Sequence, residues 1–121
     1  MRVTVEIKTA SPSVVVVALT GRRDVGDYGS LRIALARAAI RAPDVVVDLS
    51  HCEFIDSTVI STLLHAEGVV ARGRGRFLTV LPDEANALTR VTDVAQLAAM
   101  LPTCASVEAA LASFEPVDAN A

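Results

Sequence analysis

The feature that most constrains the fold is a short apolar run at 45–49, where three valines are followed by Asp48 and Leu49. β-Branched side chains favour strands, and a continuous run of this kind is typical of a strand that is covered on both faces. Pro43 lies just before the run and ends the helical pattern that precedes it. The run therefore predicts a central strand of a sheet.

Strand and helix patterns alternate along the rest of the chain. Predicted strands cover Val3–Lys8, Val14–Thr20 and Phe77–Leu81, and predicted helices cover Ser30–Arg41, Ser57–Arg72, Asn86–Thr92 and a final segment from Ser106. Strands separated by helices pair in parallel, whereas the first two strands can form a hairpin. The pattern predicts an α/β fold with a mixed sheet of four to five strands and about four helices. The length of 121 residues suits one domain, which we expect at 1–114, followed by a flexible tail at 115–121.

The composition excludes several classes of protein. Hydrophobic residues make up 52% of the chain, which excludes a disordered tail as its main body. A net charge of −3 without a long basic run argues against nucleic acid as a partner. The sequence has no signal-peptide pattern and no membrane-spanning run, so we expect a cytoplasmic protein. Cys52 and Cys104 lack the spacing of a metal or redox site and are interpreted as small buried side chains; no metal or cofactor is expected.

The predicted helix at 57–72 has one polar and one apolar face. Asp56 stands at the N-cap position, where a carboxylate accepts hydrogen bonds from backbone N–H groups of the first turn. The helical period places small and nearly uncharged side chains on one face: Ser57, Thr58, Ser61, Thr62, His65, Gly68 and Arg72. The other arc is apolar and is expected to pack on the sheet: Val59, Ile60, Leu63, Leu64, Ala66, Val70 and Ala71. Glu67 and Val69 do not fit this division.

The hydroxyl group of Ser57 stands at the first helical position, which suits a phosphate because free N–H groups and the helix dipole favour negative charge there. Phosphorylation should leave the helix folded and add about −1.5 to −2 charges to a neutral face. The same residues are also those of an ordinary capped helix, and their spacing alone favours that simpler interpretation.

Several segments together resemble the signature of STAS domains, the family of bacterial anti-sigma factor antagonists. The chain contains Asp48-Leu49-Ser50, then Phe54-Ile55-Asp56-Ser57-Thr58, then Leu63-Leu64. In the family, a strand that ends in Asp-Leu-Ser leads through a loop to Asp-Ser-Ser or Asp-Ser-Thr. Gly21-Arg22-Arg23-Asp24 stands where the family has Gly-Glu-Leu-Asp or Gly-Glu-Ile-Asp, and 107–111 resembles its final helix. The order and lengths of the elements agree over nearly the whole chain.

The resemblance implies a partner-switching role. A cognate anti-sigma factor that is also a serine kinase, of the GHKL ATPase type, would phosphorylate Ser57, and a PP2C-type phosphatase would reset it. The unphosphorylated form would bind the anti-sigma factor and free the sigma factor. The implied binding surface consists of Asp24, Asp56, Ser57, Thr58, Ser61, Thr62 and His65. The protein would be a substrate and a binding module, and not an enzyme.

The sequence departs from the family pattern at three positions. Val59 stands where the family has Gly, and its β-branched side chain could change how Ser57 is presented. This departure motivates an alternative, a STAS module that is never phosphorylated and acts as a subunit or sensor in a signalling or lipid-transport complex. Arg22 and Arg23 replace an acidic and an apolar residue, which favours an acidic partner or a phosphate on Ser57.

Two other interpretations are weaker. A serine hydrolase needs a base beside Ser57, but His65 lies about 12 Å along the same helix and no Gly-x-Ser-x-Gly motif is present; distance does not exclude His51. Arginine and glycine alternate at 72–76, and we interpret this segment as a helix C-cap and a turn whose charges complement the helix dipole. It lacks the Gly-Lys-Ser/Thr ending of a nucleotide-binding loop.

Overall fold

The described part of the computed structural model comprises residues 4–11, 13–21, 28–52, 57–81 and 98–114. The elements are β1 Thr4–Ser11, β2 Val14–Gly21, α1 Tyr28–Arg41, β3 Asp44–Cys52, α2 Ser57–Arg72, β4 Phe77–Val80, β5 Thr103–Cys104 and α3 Val107–Phe114. Residues 98–100 are also helical. The predicted helix Asn86–Thr92 and the predicted tail at 115–121 lie outside the described residues.

The five strands form one sheet in the order β1-β2-β3-β4-β5. β1 and β2 pair as an antiparallel hairpin, and every later pairing among the described strands is parallel. The predicted α/β class, the mixed sheet and the central position of the valine-rich strand are thereby confirmed. β5 has only two residues, which is too short to produce a period in the sequence.

The central strand β3 is covered on both faces, as its composition predicts. Val45, Val47 and Leu49 face the core formed with α1 and α2, whereas Val46 faces a smaller cluster that includes Ala110 and Phe114 of α3. All four of these β3 side chains are buried. Full burial of a Val or Leu side chain contributes about 1.5–3 kcal/mol, so β3 stabilises both layers of the fold.

The helix α2 ends in a Schellman motif. The N–H of Gly75 donates to the carbonyl of Val70 at 2.9 Å, and the N–H of Arg74 donates to the carbonyl of Ala71 at 2.9 Å. Arg74 holds the left-handed position, with φ of 63°. The predicted C-cap is confirmed, but the left-handed residue is an arginine rather than a glycine.

Arg76 joins the start of β3 to the end of α3. Its Nη2 donates to Asp44 Oδ2 at 2.9 Å and to the carbonyl oxygen of Phe114 at 2.8 Å, and its guanidinium lies over the Phe114 ring at 4.7 Å. The backbone N–H of Arg76 also donates to Asp44 Oδ1 at 2.8 Å. The charge of Arg76 thus complements the C-terminal end of α3 rather than that of α2, and it also pairs with the buried carboxylate of Asp44.

Thr79 carries an unpaired hydroxyl group inside the sheet. The side chain is fully buried, and its Oγ1 has no hydrogen-bond partner among the described residues. An unpaired buried hydroxyl costs free energy, so Thr79→Val is expected to raise the free energy of unfolding by about 1 kcal/mol. Urea denaturation measures the change. The matched control is Thr103→Val on the neighbouring strand, where the side chain is half-buried and the expected change is smaller. A destabilised Thr79→Val protein would contradict the prediction.

Candidate partner-binding site

The predicted site lies at the start of α2, beyond the carboxyl end of β3. α2 begins at Ser57, as the sequence predicts, and Thr58 is its second residue. Parallel strands end at a common edge of the sheet, where the first turns of the following helices collect polar groups and ligands. Asp24 and Asp56 lie outside the described residues, so the structure does not test their place beside Ser57.

The buried face of α2 largely follows the predicted arc. Val59, Ile60, Leu63 and Val70 are buried in the core that α2 shares with α1 and the sheet. The departure from the family pattern at Val59 thus falls on the core side, where its side chain is fully buried. The arc is wrong at Ala71, which is exposed in the last turn of the helix.

The opposite face of α2 borders a groove. Ser61 and His65 are exposed and Thr62 is half-buried. The three line a groove of about 1000 Å³ between α1 and α2, which we call the α1–α2 groove. The structure therefore brings together three of the seven predicted partner-binding residues and adds a second helix to the surface.

The contribution of α1 to this surface was missed by the sequence reasoning. Arg32, Ile33, Ala36 and Ile40 line the groove, and Ile33 and Ile40 are exposed. The two isoleucines are seven residues apart, so they lie two turns apart on one helix face, outside the apolar stripe that packs in the core. The seven-residue spacing of Ile33 and Ile40 is the sequence pattern that indicates a second apolar face on α1.

The groove lining includes one arginine, Arg32, although the chain is acidic overall. α1 contains Arg32, Arg37 and Arg41, all exposed, and no acidic residue. The described residues that line the groove include no carboxylate. Arg32 therefore gives the groove lining a positive charge in a chain whose net charge is −3.

The Asp-Leu-Ser segment has a local structural role. Asp48 Oδ1 accepts hydrogen bonds from the backbone N–H of Ser50 at 2.9 Å and from its Oγ at 2.6 Å. These bonds lie within β3, which continues to Cys52, at the point where its register with β2 shifts. The carboxylate of Asp48 is therefore held within its own segment.

Cys104 is half-buried rather than fully buried as expected. Burial has the largest effect and raises the pKa of the Cys104 thiol. A hydrogen bond with the Ser106 backbone lowers this pKa, and the negative charge of Asp48 raises it. The Sγ–H donates to the carbonyl oxygen of Ser106 at 3.5 Å. A protonated thiol with a raised pKa is a weak nucleophile. Within the described ranges, no group of three His, Cys, Asp or Glu side chains could hold a metal ion.

Helix length and polarity also bear on membrane contact. Among the helices that the structure describes, none is long and apolar enough to cross a bilayer.

The fold and the groove together define a small α/β domain with an exposed pair of helices on one side of its sheet. Solved structures with this fold include SpoIIAA, the Bacillus cell fate determinant, in its phosphorylated form, with a TM-score of 0.68 and 16% identity over 93% of this chain and 100% of that one. The anti-sigma factor antagonist SpoIIAA in its unphosphorylated form gives a TM-score of 0.71 and 17% identity over 95% and 100%. An anti-sigma factor antagonist from Mycobacterium paratuberculosis gives 0.70 and 22% over 93% and 93%.

The family follows from the sequence itself. A family model described as "Mlab, STAS domain" matches residues 8–102, which is most of the chain. The chain belongs to the STAS domain family. A search of curated proteins gave no match.

Proposed function

We propose that the protein is a cytoplasmic anti-sigma factor antagonist. In its unphosphorylated form it binds a cognate anti-sigma factor that is also a serine kinase of the GHKL ATPase type, and it thereby frees a sigma factor. Phosphorylation of Ser57 switches the binding off, and a PP2C-type phosphatase restores it. The protein itself is a binding module and has no enzymatic activity.

The observation that carries this proposal is the position of Ser57 as the first residue of α2. The free N–H groups of a first helical turn accommodate a phosphate without loss of the helix. The antagonist structures that share the fold include both a phosphorylated and an unphosphorylated form. Asp24, Asp56 and Thr58 complete the proposed surface with Ser61, Thr62 and His65.

The test is incubation of the protein with ATP and kinases of the anti-sigma type, followed by mass spectrometry. We expect a mass gain of one phosphate that maps to Ser57 and disappears in Ser57→Ala. The matched control is Ser61→Ala, which removes an exposed hydroxyl group one turn along the same helix and should leave the modification intact. A phosphate on another residue, or no modification by any such kinase, would count against the proposed switch.

A second candidate function is a STAS module that is never phosphorylated and serves as a subunit or sensor in a signalling or lipid-transport complex. Two observations favour it: Val59 replaces the family's usual Gly, and the matching family model is described by Mlab rather than by an antagonist. The kinase experiment separates the two functions, because this module would stay unmodified and would bind its complex equally well as wild type and as Ser57→Ala.

A further inference from the structure

The α1–α2 groove exposes large apolar side chains that are not packed in the core. Ile40 is 87% exposed, Ile33 is 55% exposed and Val69 is 39% exposed. Ile33 and Ile40 come from α1 and Val69 comes from α2, so the apolar atoms lie on both helices that border the groove. Contiguous apolar surface with polar edges marks an interaction site more often than a surface without function.

The shape of the groove suits a helix. α1 has 14 residues and α2 has 16, so the groove is bounded by helices about 21 and 24 Å long. Small side chains, Ala36 and Ala39 on α1 and Ala66 on α2, line it between the larger ones. A third helix can insert its apolar stripe into such a groove, with apolar residues at every third or fourth position.

The charge of the groove indicates which side chains should flank the apolar stripe of the bound helix. Arg32 lines the groove, and the described residues of the lining include no carboxylate. A second copy of this chain that docked through the same groove would bring a second Arg32 to the interface, and like charges across an interface are unfavourable. We propose that the α1–α2 groove binds an amphipathic helix of a partner protein in which carboxylates flank an apolar stripe.

This inference deepens the proposed function, since the groove shares Ser61, Thr62 and His65 with the proposed binding surface, but it does not require phosphorylation of Ser57. Its test therefore uses no kinase. Failure of the groove test would leave the switch at Ser57 standing, and failure of the kinase test would leave the groove standing.

The test uses three synthetic helical peptides of about 18 residues, long enough to span α2. The first has a leucine stripe flanked by glutamates, the second has lysines in place of the glutamates, and the third has serines in place of the leucines. Fluorescence anisotropy measures binding to the full chain. We expect the leucine–glutamate peptide to bind at least about tenfold more tightly than either of the others, because it alone matches both the apolar lining and the charge of Arg32.

Two pairs of variants locate the binding in the groove. Ile40→Glu should weaken the leucine–glutamate peptide about tenfold or more, while Met100→Glu, an exposed apolar residue outside the groove, should leave binding unchanged. Arg32→Glu should shift the preference toward the lysine peptide, while Arg74→Glu in the exposed turn after α2 should not. Ile40 and Arg32 are exposed, so these variants are expected to fold.

Several outcomes would overturn the proposal. One is no binding of the leucine–glutamate peptide up to about 1 mM, and another is equal binding of the lysine peptide. An Ile40→Glu protein with unchanged affinity would place the binding elsewhere. If the wild-type chain is a dimer by light scattering and Ile40→Glu is a monomer, a second copy occupies the groove and the proposed acidic helix does not.

Discussion

A phosphate on Ser57 is expected to weaken binding of the anti-sigma partner about a hundredfold while the fold remains intact. The phosphate adds about −1.5 to −2 charges at the start of α2, one turn before Ser61 and the α1–α2 groove. Like charges that meet across an interface cost several kcal/mol, and about 2.7 kcal/mol corresponds to a hundredfold change in affinity. The helix itself is not opposed, because negative charge is favourable at its N-terminus.

Isothermal titration calorimetry with the kinase partner, in the absence of ATP, measures this loss for the phosphorylated protein and for Ser57→Asp. The matched control is Ala109→Asp, which adds one negative charge to the first turn of α3 on the opposite face of the sheet. We expect the control to bind like wild type. Circular dichroism should give the same melting behaviour for all three proteins. Unchanged affinity of the phosphorylated protein would refute the switch even if the kinase modifies Ser57.

The second large effect is expected for Gly75→Ala, which should lower the free energy of unfolding by about 3 kcal/mol or more. A Cβ at this position would overlap the carbonyl oxygen of Pro43, and it would lie 2.8 Å from the carbonyl carbon of Pro43 and 2.9 Å from Val70 Cγ1. Pro43 cannot move away easily, because Asp44 next to it receives two hydrogen bonds from Arg76. Relief of the overlap therefore requires the backbone to move at Pro43, which connects α1 to β3, or at Gly75, which connects α2 to β4.

Gly68→Ala is the matched control for this substitution. Gly68 lies inside α2, and a Cβ there meets no atom within 4 Å. Alanine is a better helix former than glycine by about 0.8–1.0 kcal/mol, so the control should be more stable than wild type. Urea denaturation of both variants gives the two changes with opposite signs. Equal stability of Gly75→Ala and wild type would show that the close approach of Pro43 relaxes without cost.

The sequence predicts the local elements better than the contacts between them. The start and end of α2 at Ser57 and Arg72 agree with the structure because a capping pattern, a helical period and a glycine all point to the same boundaries. The pair of Asp44 and Arg76 is separated by 32 positions, and no local pattern connects them. The role of Arg76 could therefore not be predicted from its neighbouring glycines.

In the candidate site, too, the sequence predicts features of one helix but not the contact between two helices. The period of α2 predicts its polar face, including Ser61, Thr62 and His65, from one helix alone. The groove exists only because α1 and α2 pack side by side on one face of the sheet, and helix pairing depends on the tertiary fold. The spacing of Ile33 and Ile40 places both on one face of α1, but only the packing of α2 beside that face makes them part of a groove.

The strand order of the sheet also bears on how the protein is made. Among the described strands, each of the four that follow β1 pairs with the strand that comes immediately before it in the chain. A chain that emerges from the ribosome N-terminus first can therefore extend its sheet at a single edge, one strand at a time. None of the described strands has to be inserted between two that are already paired, and the short β5 is added last of them, when the preceding strands are in place.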